Sequence, residues 1–405
     1  MSVMRVRPGG SRGLPPLGRA PLERGLVGPR ERDGLWWRVD WVIAGAALVL
    51  SLLGALLVWS ATRPRLIEGG EDPDWYLKRH LVNLAIGLVL GILFAVVDYR
   101  LLRAYAPLIY VASGVGLVAV LVVGRTINGA HSWIVLGGGF QVQPSEFAKV
   151  ALVVGMAVLL AERRTQENTS RSADVPLVLA LAAVPLGLVM LQPDLGTAMV
   201  FVFTVFGVLA LAGAPARWLL GLILLGVVVV TGAVRFGVLE DYQLERFRAF
   251  TNSDVDTLGA AYNVRQSLIA IGNGGLTGTG LFEGTQTNGR FVPEQQTDFV
   301  FTVAGEELGL LGAGGIVALF GLLLWRALRL VGRSPDLFGR LVAGGVAAWF
   351  AFQVFVNIGM TLGIMPITGL PLPFLSYGGS SMFANWMAVG LLLNVHARSR
   401  EVERV

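Results

Sequence analysis

The most constraining feature of the sequence is a run of 57 residues, 341–397, that contains no Asp, Glu, Lys or Arg. About 20 apolar residues are enough for one helix to cross the hydrocarbon core of a bilayer. Prolines and glycines interrupt the run between residues 363 and 381, so it predicts two membrane spans. The whole chain has only 15% charged and 54% hydrophobic residues. This composition excludes an ordinary soluble enzyme.

The same reasoning predicts eight further spans, which gives an all-α, polytopic membrane protein with ten transmembrane helices. These spans begin near residues 41, 81, 104, 144, 175, 195, 218 and 298. An even number of spans places both termini on one side. With that side taken as cytoplasmic, the tails and inner loops hold 21 of the 32 Lys and Arg residues, as the positive-inside rule requires. A large outer loop, residues 239–297, then separates the seventh and eighth spans.

Composition divides the chain into three parts. Residues 1–40 are rich in Gly, Pro and Arg and are predicted to be a disordered, basic, cytoplasmic arm near anionic membrane lipids. Residues 41–397 form the membrane domain, and residues 398–405 form a cytoplasmic tail. Cysteine is absent and there are three histidines, which excludes thiolate chemistry and argues against a histidine-rich metal centre. We expect no nucleic-acid partner.

Acidic residues near the start of the eighth span are the first candidates for chemistry. Thr297 or Asp298 is predicted to be the N-cap of this helix, which puts Asp298 at the outer membrane interface. Glu306 and Glu307 are expected about 12 Å deeper, where a carboxylate costs at least ~2.5 kcal/mol unless it has a partner or a polar cavity. They are predicted either to form a buried ion pair or to contact substrate.

Two short polar segments predict further contacts on the outer side. Glu146 and Lys149 lie three residues apart at the start of the fourth span and are expected to pair, to bind an anionic lipid phosphate, or both. The segment Gln192-Pro-Asp194 predicts a tight membrane turn in which Asp194 caps the next helix.

The segment 366–381 is apolar, contains three prolines and ends in Ser376, Tyr377, two glycines and Ser380-Ser381. Irregular backbone at membrane depth is stable only where protein or a water-filled cavity covers it. We therefore expect a re-entrant segment that lines a substrate site. Gln192, Asp194, Ser376, Tyr377 and Ser380 are candidate substrate-binding residues, together with the two glutamate pairs described above.

Six motifs in this order resemble the SEDS family (shape, elongation, division and sporulation). The motifs are Asn128-Gly-Ala…Trp133, Gln143-Pro-Ser-Glu-Phe-Ala-Lys149, Gln192-Pro-Asp-Leu-Gly196, Pro293-Glu…Thr297-Asp-Phe, Gly305-Glu-Glu-Leu-Gly309 and Pro373-Phe-Leu-Ser-Tyr-Gly-Gly-Ser-Ser381. The segment from Gly284 to Glu294 resembles the rod-shape branch, RodA, more than the division branch, FtsW. Ser132 precedes the loop tryptophan where members often carry Arg, so any role of that Arg is in question here.

The resemblance implies a peptidoglycan glycosyltransferase of the bacterial cytoplasmic membrane, which polymerises lipid II on the outer face and supports rod shape. It implies that Asp298 is the catalytic general base and that the reaction inverts at the donor sugar. A divalent cation such as Mg²⁺ or Mn²⁺ is an expected cofactor, and a class B penicillin-binding protein is an expected partner. Two alternatives stay open at this point, a lipid II flippase and a non-catalytic scaffold for that transpeptidase.

Overall fold

The computed structural model describes residues 39–127, 130–135, 141–166, 171–236 and 259–402. Within these ranges, ten helices of 17 residues or more coincide with the ten predicted spans. They are α1 (Trp41–Glu68), α2 (Trp75–Val96), α3 (Tyr99–Val123), α4 (Pro144–Gln166), α5 (Arg171–Met190), α6 (Leu195–Leu211), α7 (Ala216–Arg235), α10 (Val300–Arg333), α11 (Leu337–Thr361) and α12 (Gly379–Val402). The predicted basic arm lies outside the described residues, apart from its last two positions.

Shorter elements occupy the outer loops. Strands β1 (Arg125–Ile127), β2 (Ala130–Val135) and β3 (Gln141–Val142) form an antiparallel sheet between α3 and α4. Helices α8 (Ala260–Gly274) and α9 (Thr285–Gly289) lie in the part of the predicted large loop that the structure describes. The helical part of the C-terminal segment reaches Val402, five residues past the predicted end of the membrane domain.

The helices have the length and composition of membrane spans. In the described residues, eight of them (α1 to α5, α7, α10 and α11) are long and apolar enough to cross a bilayer, and α6 is a 17-residue apolar helix. Most of α4 and α11 is buried inside the protein, whereas α7 has no buried residue. The buried core therefore forms around α4 and α11, and α7 lies at the periphery.

Small residues let α2 and α12 approach closely. A Cβ at Gly390 of α12 would overlap the carbonyl oxygen of Gly91 in α2, and a Cβ at Gly87 would lie 2.9 Å from the ring of Trp386. Close backbone contact between small residues is a common way to pack helices in membranes. This contact fixes the start of α2 beside the start of α12.

Ion pairs hold the predicted cytoplasmic ends of the helices. Asp40 caps α1 by accepting the Ile43 N–H (3.3 Å), and the Arg326 Nε of α10 donates to the same carboxylate at 3.0 Å. At the α2–α3 turn, Asp98 accepts the Arg100 N–H at 2.9 Å and pairs with Arg398 of α12. The Arg100 amide and the nearby arginine charges lower the pKa of the Asp98 carboxyl.

The helix α10 differs from the sequence prediction in its N-cap, and it contains a break. It begins at Val300 with Phe299 as its N-cap residue, and no side chain caps it. The prediction that Thr297 or Asp298 caps this helix is therefore wrong. The helix also breaks at Gly309, whose φ of 64° and ψ of −167° suit only glycine.

Candidate active site

A cavity of about 850 Å³ lies at the ends of the helices that the charge pattern assigns to the outer side. Its walls come from the start of α2, the sheet, the α5–α6 turn, α7, the segment 294–298, the segment 366–371 and the start of α12. Four carboxylates line it, those of Glu146, Asp194, Glu294 and Asp298. Several of the predicted site residues are thus brought together although they are far apart in sequence.

Asp298 is half-buried in the cavity wall, and its backbone is anchored from two sides. The side-chain amide of Asn357 in α11 donates to the Asp298 carbonyl at 2.8 Å and to the Leu370 carbonyl at 2.7 Å. One amide therefore ties the candidate base to the irregular segment across the cavity. The Tyr377 N–H adds a second tie by donating to the Gln296 carbonyl at 2.9 Å.

Glu146 and Lys149 form the predicted pair. The Lys149 ammonium lies 2.7 Å from Glu146 Oε1 and 3.2 Å from Gln353 Oε1, and it lies 4.7 Å from the ring centroid of Trp349. Both side chains are almost fully buried. Glu146 lines the cavity but Lys149 does not. The geometry thus favours the mutual salt bridge over a direct contact between Lys149 and a lipid phosphate.

The turn between α5 and α6 places Asp194 in the cavity wall. Its carboxylate caps α6 by accepting the Thr197 N–H at 3.0 Å, and it accepts the Gln143 side-chain amide at 3.1 Å. The predicted cap is confirmed. Gln192 is buried behind this turn, where its amide donates to the Leu117 carbonyl at 3.1 Å, and it does not line the cavity.

Residues 366–371, 377–379 and 381 line the cavity, in agreement with the prediction that this segment lines a site. Tyr377 is in the wall, and its ring meets the ring of Tyr76 edge-on with centroids 4.9 Å apart. The other two candidates in this segment hold the backbone in place. Ser376 Oγ accepts the Leu372 N–H at 2.7 Å, and Ser380 Oγ accepts the Gln143 N–H at 2.9 Å.

Glu306 and Glu307 do not line the cavity. Glu306 accepts the N–H groups of Gln286 and Thr287 at 2.7 and 2.8 Å, at the start of α9. Glu307 Oε1 accepts the Ser60 hydroxyl at 2.5 Å. No ion pair involves either residue among the described residues. The geometry favours a structural role, holding the segment 275–290, which we call the docked loop, over the predicted ion pair or substrate contact.

The polar cavity residues that sequence reasoning missed include Arg79 and Asn83 of α2. Arg79 stacks over the ring of Trp75, with its Cζ 4.4 Å from the ring centroid, and lies near the Tyr377 side chain. The only signal in the sequence was the polar start of an otherwise apolar span. Arg79 is the single Lys or Arg among the described residues that line the cavity.

The expected divalent cation has no preformed cage in the part of the chain that the structure describes. No group of three or more His, Cys, Asp or Glu side chains there is arranged to hold a metal ion. The four cavity carboxylates therefore do not form a metal site by themselves. The cofactor stays a prediction.

Fold and site together define a polytopic helical membrane protein with an acidic cavity at the outer ends of its helices. The family model of the cell cycle proteins FtsW, RodA and SpoVE matches residues 40–401. Stage V sporulation protein E of Bacillus subtilis (strain 168) is 38% identical over 363 residues, which cover 89% of this chain and 98% of that protein. Peptidoglycan glycosyltransferase MrdB of Escherichia coli (strain K12) is 36% identical over 357 residues, or 88% and 93% of the two chains.

A solved structure agrees with these relatives. A chain from work described as "Structural coordination of polymerization and crosslinking by a peptidoglycan synthase complex" matches with a TM-score of 0.74 and 37% identity, over 89% of this chain and 98% of that one. The chain belongs to the FtsW, RodA and SpoVE family of cell cycle proteins, the SEDS family. It is a peptidoglycan glycosyltransferase and a multi-pass protein of the bacterial cytoplasmic membrane.

Proposed function

We propose that the protein polymerises lipid II into β-1,4-linked glycan strands on the outer face of the membrane, with Asp298 as the general base. The Asp298 carboxylate takes the proton of the acceptor GlcNAc 4-hydroxyl while that oxygen attacks C1 of the donor MurNAc. The bond between C1 and the diphosphate oxygen breaks, and polyprenyl diphosphate leaves. A single displacement converts the α-linked donor into a β-linked product, so no covalent sugar–enzyme intermediate is needed.

The observation that carries this proposal is the position of Asp298 in the wall of the outer cavity, with its backbone anchored by Asn357. A general base must be held within hydrogen-bonding reach of the proton that it removes. Two other acids of the cavity have structural roles, since Glu146 pairs with Lys149 and Asp194 caps α6. Glu146 and Asp194 therefore help to hold the cavity wall.

The cavity also offers an apolar wall for the polyprenyl chain of lipid II. Val229, Val230 and Ala233 of α7 line it together with the segment from Pro366 to Pro371. Many apolar side chains of α7 are exposed, as expected for a helix in contact with lipid.

The predicted partner is a class B penicillin-binding protein, a transpeptidase that cross-links the new strand. The similarity to a chain of a complex that coordinates polymerization and crosslinking supports this proposal. We propose the outer parts of α10 and α11 as the contact face, where Leu310, Leu311 and Phe355 are exposed apolar residues. The role in elongation and rod shape stays a prediction, because SpoVE and MrdB are similar to this chain to nearly the same degree.

The test is strand synthesis by purified protein in detergent with lipid II as the only substrate. A detergent micelle has no second compartment, so a flippase or a scaffold yields no product there, whereas a polymerase makes glycan strands. Asp298→Asn is expected to lower the rate by about 10²- to 10⁴-fold, the usual contribution of a general base.

The matched control is Glu283→Gln, an exposed acid of the docked loop that does not line the cavity. It is expected to keep the wild-type rate. Normal strand synthesis by Asp298→Asn would refute the assignment of the base, and no product from the wild-type protein with or without its transpeptidase would refute polymerisation itself.

A further inference from the structure

The start of α12 and the facing side of α2 form a polar corner of the cavity that has no part in the proton transfer to Asp298. Gly378, Gly379 and Ser381 line the cavity on one side of this corner, and Arg79 and Asn83 line it on the other. The two helices are fixed side by side by their glycine contacts. The corner is therefore a built feature of the fold.

The helix end in this corner is open to an anion. The first N–H groups of a helix have no partner within the helix, and its N-terminus carries partial positive charge. Gly378 and Gly379 add no side chain that covers these amides. Helix N-termini of this kind bind phosphate groups in many proteins.

An independent observation points to a ligand at the same place. Asn83 is only 6% exposed, yet among the described residues its side chain makes no hydrogen bond. It faces the helix end, since a Cβ at Gly379 would lie 3.3 Å from Asn83 Oδ1. The Asn83 amide opens into the cavity, and since polar groups in the interior normally have a hydrogen-bonding partner, a ligand in the cavity is placed to supply one.

Arg79 adds a guanidinium group with a permanent positive charge. It lies one helical turn before Asn83 and hence on the same face of α2. The guanidinium stacks on the Trp75 ring and lies near the Tyr377 side chain, which also lines the cavity. Guanidinium groups bind phosphate oxygens through two parallel hydrogen bonds.

We propose that Arg79, Asn83 and the N-terminus of α12 form an anion subsite for the diphosphate of a polyprenyl-linked substrate. This subsite rests on the proposed function, because the diphosphate is the leaving group of that reaction. Positive charge at this corner stabilises the negative charge that develops as the bond to C1 breaks. In that role Arg79 contacts the substrate directly.

The test is the affinity of the purified full chain in detergent for farnesyl diphosphate, measured by isothermal titration calorimetry. Arg79→Gln is expected to weaken binding by about tenfold or more, because a charge-assisted contact is lost. Asn83→Leu is expected to weaken it by a smaller factor. Farnesol, which lacks the diphosphate, is expected to bind equally to wild type and Arg79→Gln.

Arg63→Gln is a closely matched control. Arg63 also stacks over a tryptophan four residues earlier, with its Cζ 5.5 Å from the Trp59 ring centroid, but it does not line the cavity. It is expected to bind farnesyl diphosphate with wild-type affinity. Equal affinity in wild type and Arg79→Gln, or an equal loss in Arg63→Gln, would overturn the subsite.

Two further binding measurements distinguish a failure of the subsite proposal from a failure of the general-base proposal. Phosphatidylglycerol is expected to compete poorly, and competition as strong as that of farnesyl diphosphate would assign the corner to lipid headgroups and overturn the substrate assignment. Asp298→Asn is expected to keep its affinity for farnesyl diphosphate. A failure of the general-base proposal therefore appears in strand synthesis, and a failure of the subsite appears in binding.

Discussion

Two acidic regions at the outer part of α10 lie close in sequence but have opposite surroundings. Asp298, just before the helix, lines a cavity. Glu306, eight residues later, is fully buried and accepts hydrogen bonds from Gln286 and Thr287 of the docked loop. One acid faces a volume large enough for substrate, and the other is saturated by protein donors. Residue type and membrane depth alone do not distinguish an acid that lines a cavity from an acid that is enclosed by protein donors; the tertiary surroundings do.

The docked loop explains why Glu306 is enclosed by protein. Its backbone pairs with α10 on both sides of the helix break, since Thr279 N–H donates to the Glu306 carbonyl at 3.0 Å and Leu310 N–H donates to the Gly275 carbonyl at 2.9 Å. The break at Gly309 exposes these helix groups to the loop. Changes in this region are expected to alter stability, whereas changes at Asp298 are expected to alter chemistry.

The largest effect on stability is expected from the pair beneath the cavity. Lys149→Met leaves the Glu146 carboxylate buried without its cation, which is expected to lower the free energy of unfolding by about 3–5 kcal/mol. The double variant Glu146→Gln/Lys149→Met is expected to be more stable than Lys149→Met, because no buried charge remains. Thermal unfolding in detergent measures these two variants and the single variant Glu146→Gln, and additive losses would show that the two side chains do not couple.

Glu306→Gln sharpens the contrast between the two acids. Two backbone amides lose a charged acceptor, which is expected to lower the free energy of unfolding by about 3 kcal/mol. Limited proteolysis is expected to cut the docked loop faster, and thermal unfolding is expected to occur at a lower temperature. Wild-type stability and protease resistance in this variant would contradict the structural role of Glu306.

Gly309→Ala tests the helix break itself. A Cβ there would overlap the Gly278 amide, and the backbone conformation at Gly309 is accessible almost only to glycine. The expected cost is about 2 kcal/mol of unfolding free energy. Gly314→Ala, farther along α10 with nothing within 4 Å of the added Cβ, is the control and is expected to be neutral or slightly stabilising.

The smallest effect is expected at the cap of α6. Asp194→Ala removes the acceptor for the Thr197 N–H and is expected to lower the free energy of unfolding by about 1 kcal/mol. Asp194→Asn keeps an acceptor oxygen at the cap and is expected to recover most of that loss. Thermal unfolding compares the two variants, and equal losses would show that the cap does not depend on the side-chain oxygen.

The sequence predicted the ten helices because charge-free runs of about 20 residues leave few alternatives in a membrane. It also predicted contacts that depend on local spacing, such as the Glu146–Lys149 pair and the Asp194 cap. Partners that come from distant segments were not predictable. The donors of Glu306 belong to α9, and the importance of Asn83 appears only once α2 packs against α12.

The expected N-cap at Thr297 or Asp298 was wrong for a related reason. The segment before α10 is shaped by tertiary contacts, in particular by the Asn357 amide on the Asp298 carbonyl and the Tyr377 N–H on the Gln296 carbonyl. These contacts hold the backbone of the segment, and Asp298 lines the cavity instead of capping the helix. Cap preferences describe isolated helix ends and do not include such contacts.

The most direct test of the central claim measures the strand-synthesis rate and the melting temperature of Asp298→Asn and Glu306→Gln in parallel. The account predicts that Asp298→Asn loses about 10²- to 10⁴-fold in rate and keeps the wild-type melting temperature, while Glu306→Gln melts at a lower temperature. If Asp298→Asn makes strands at the wild-type rate, Asp298 is not the base and the account is contradicted.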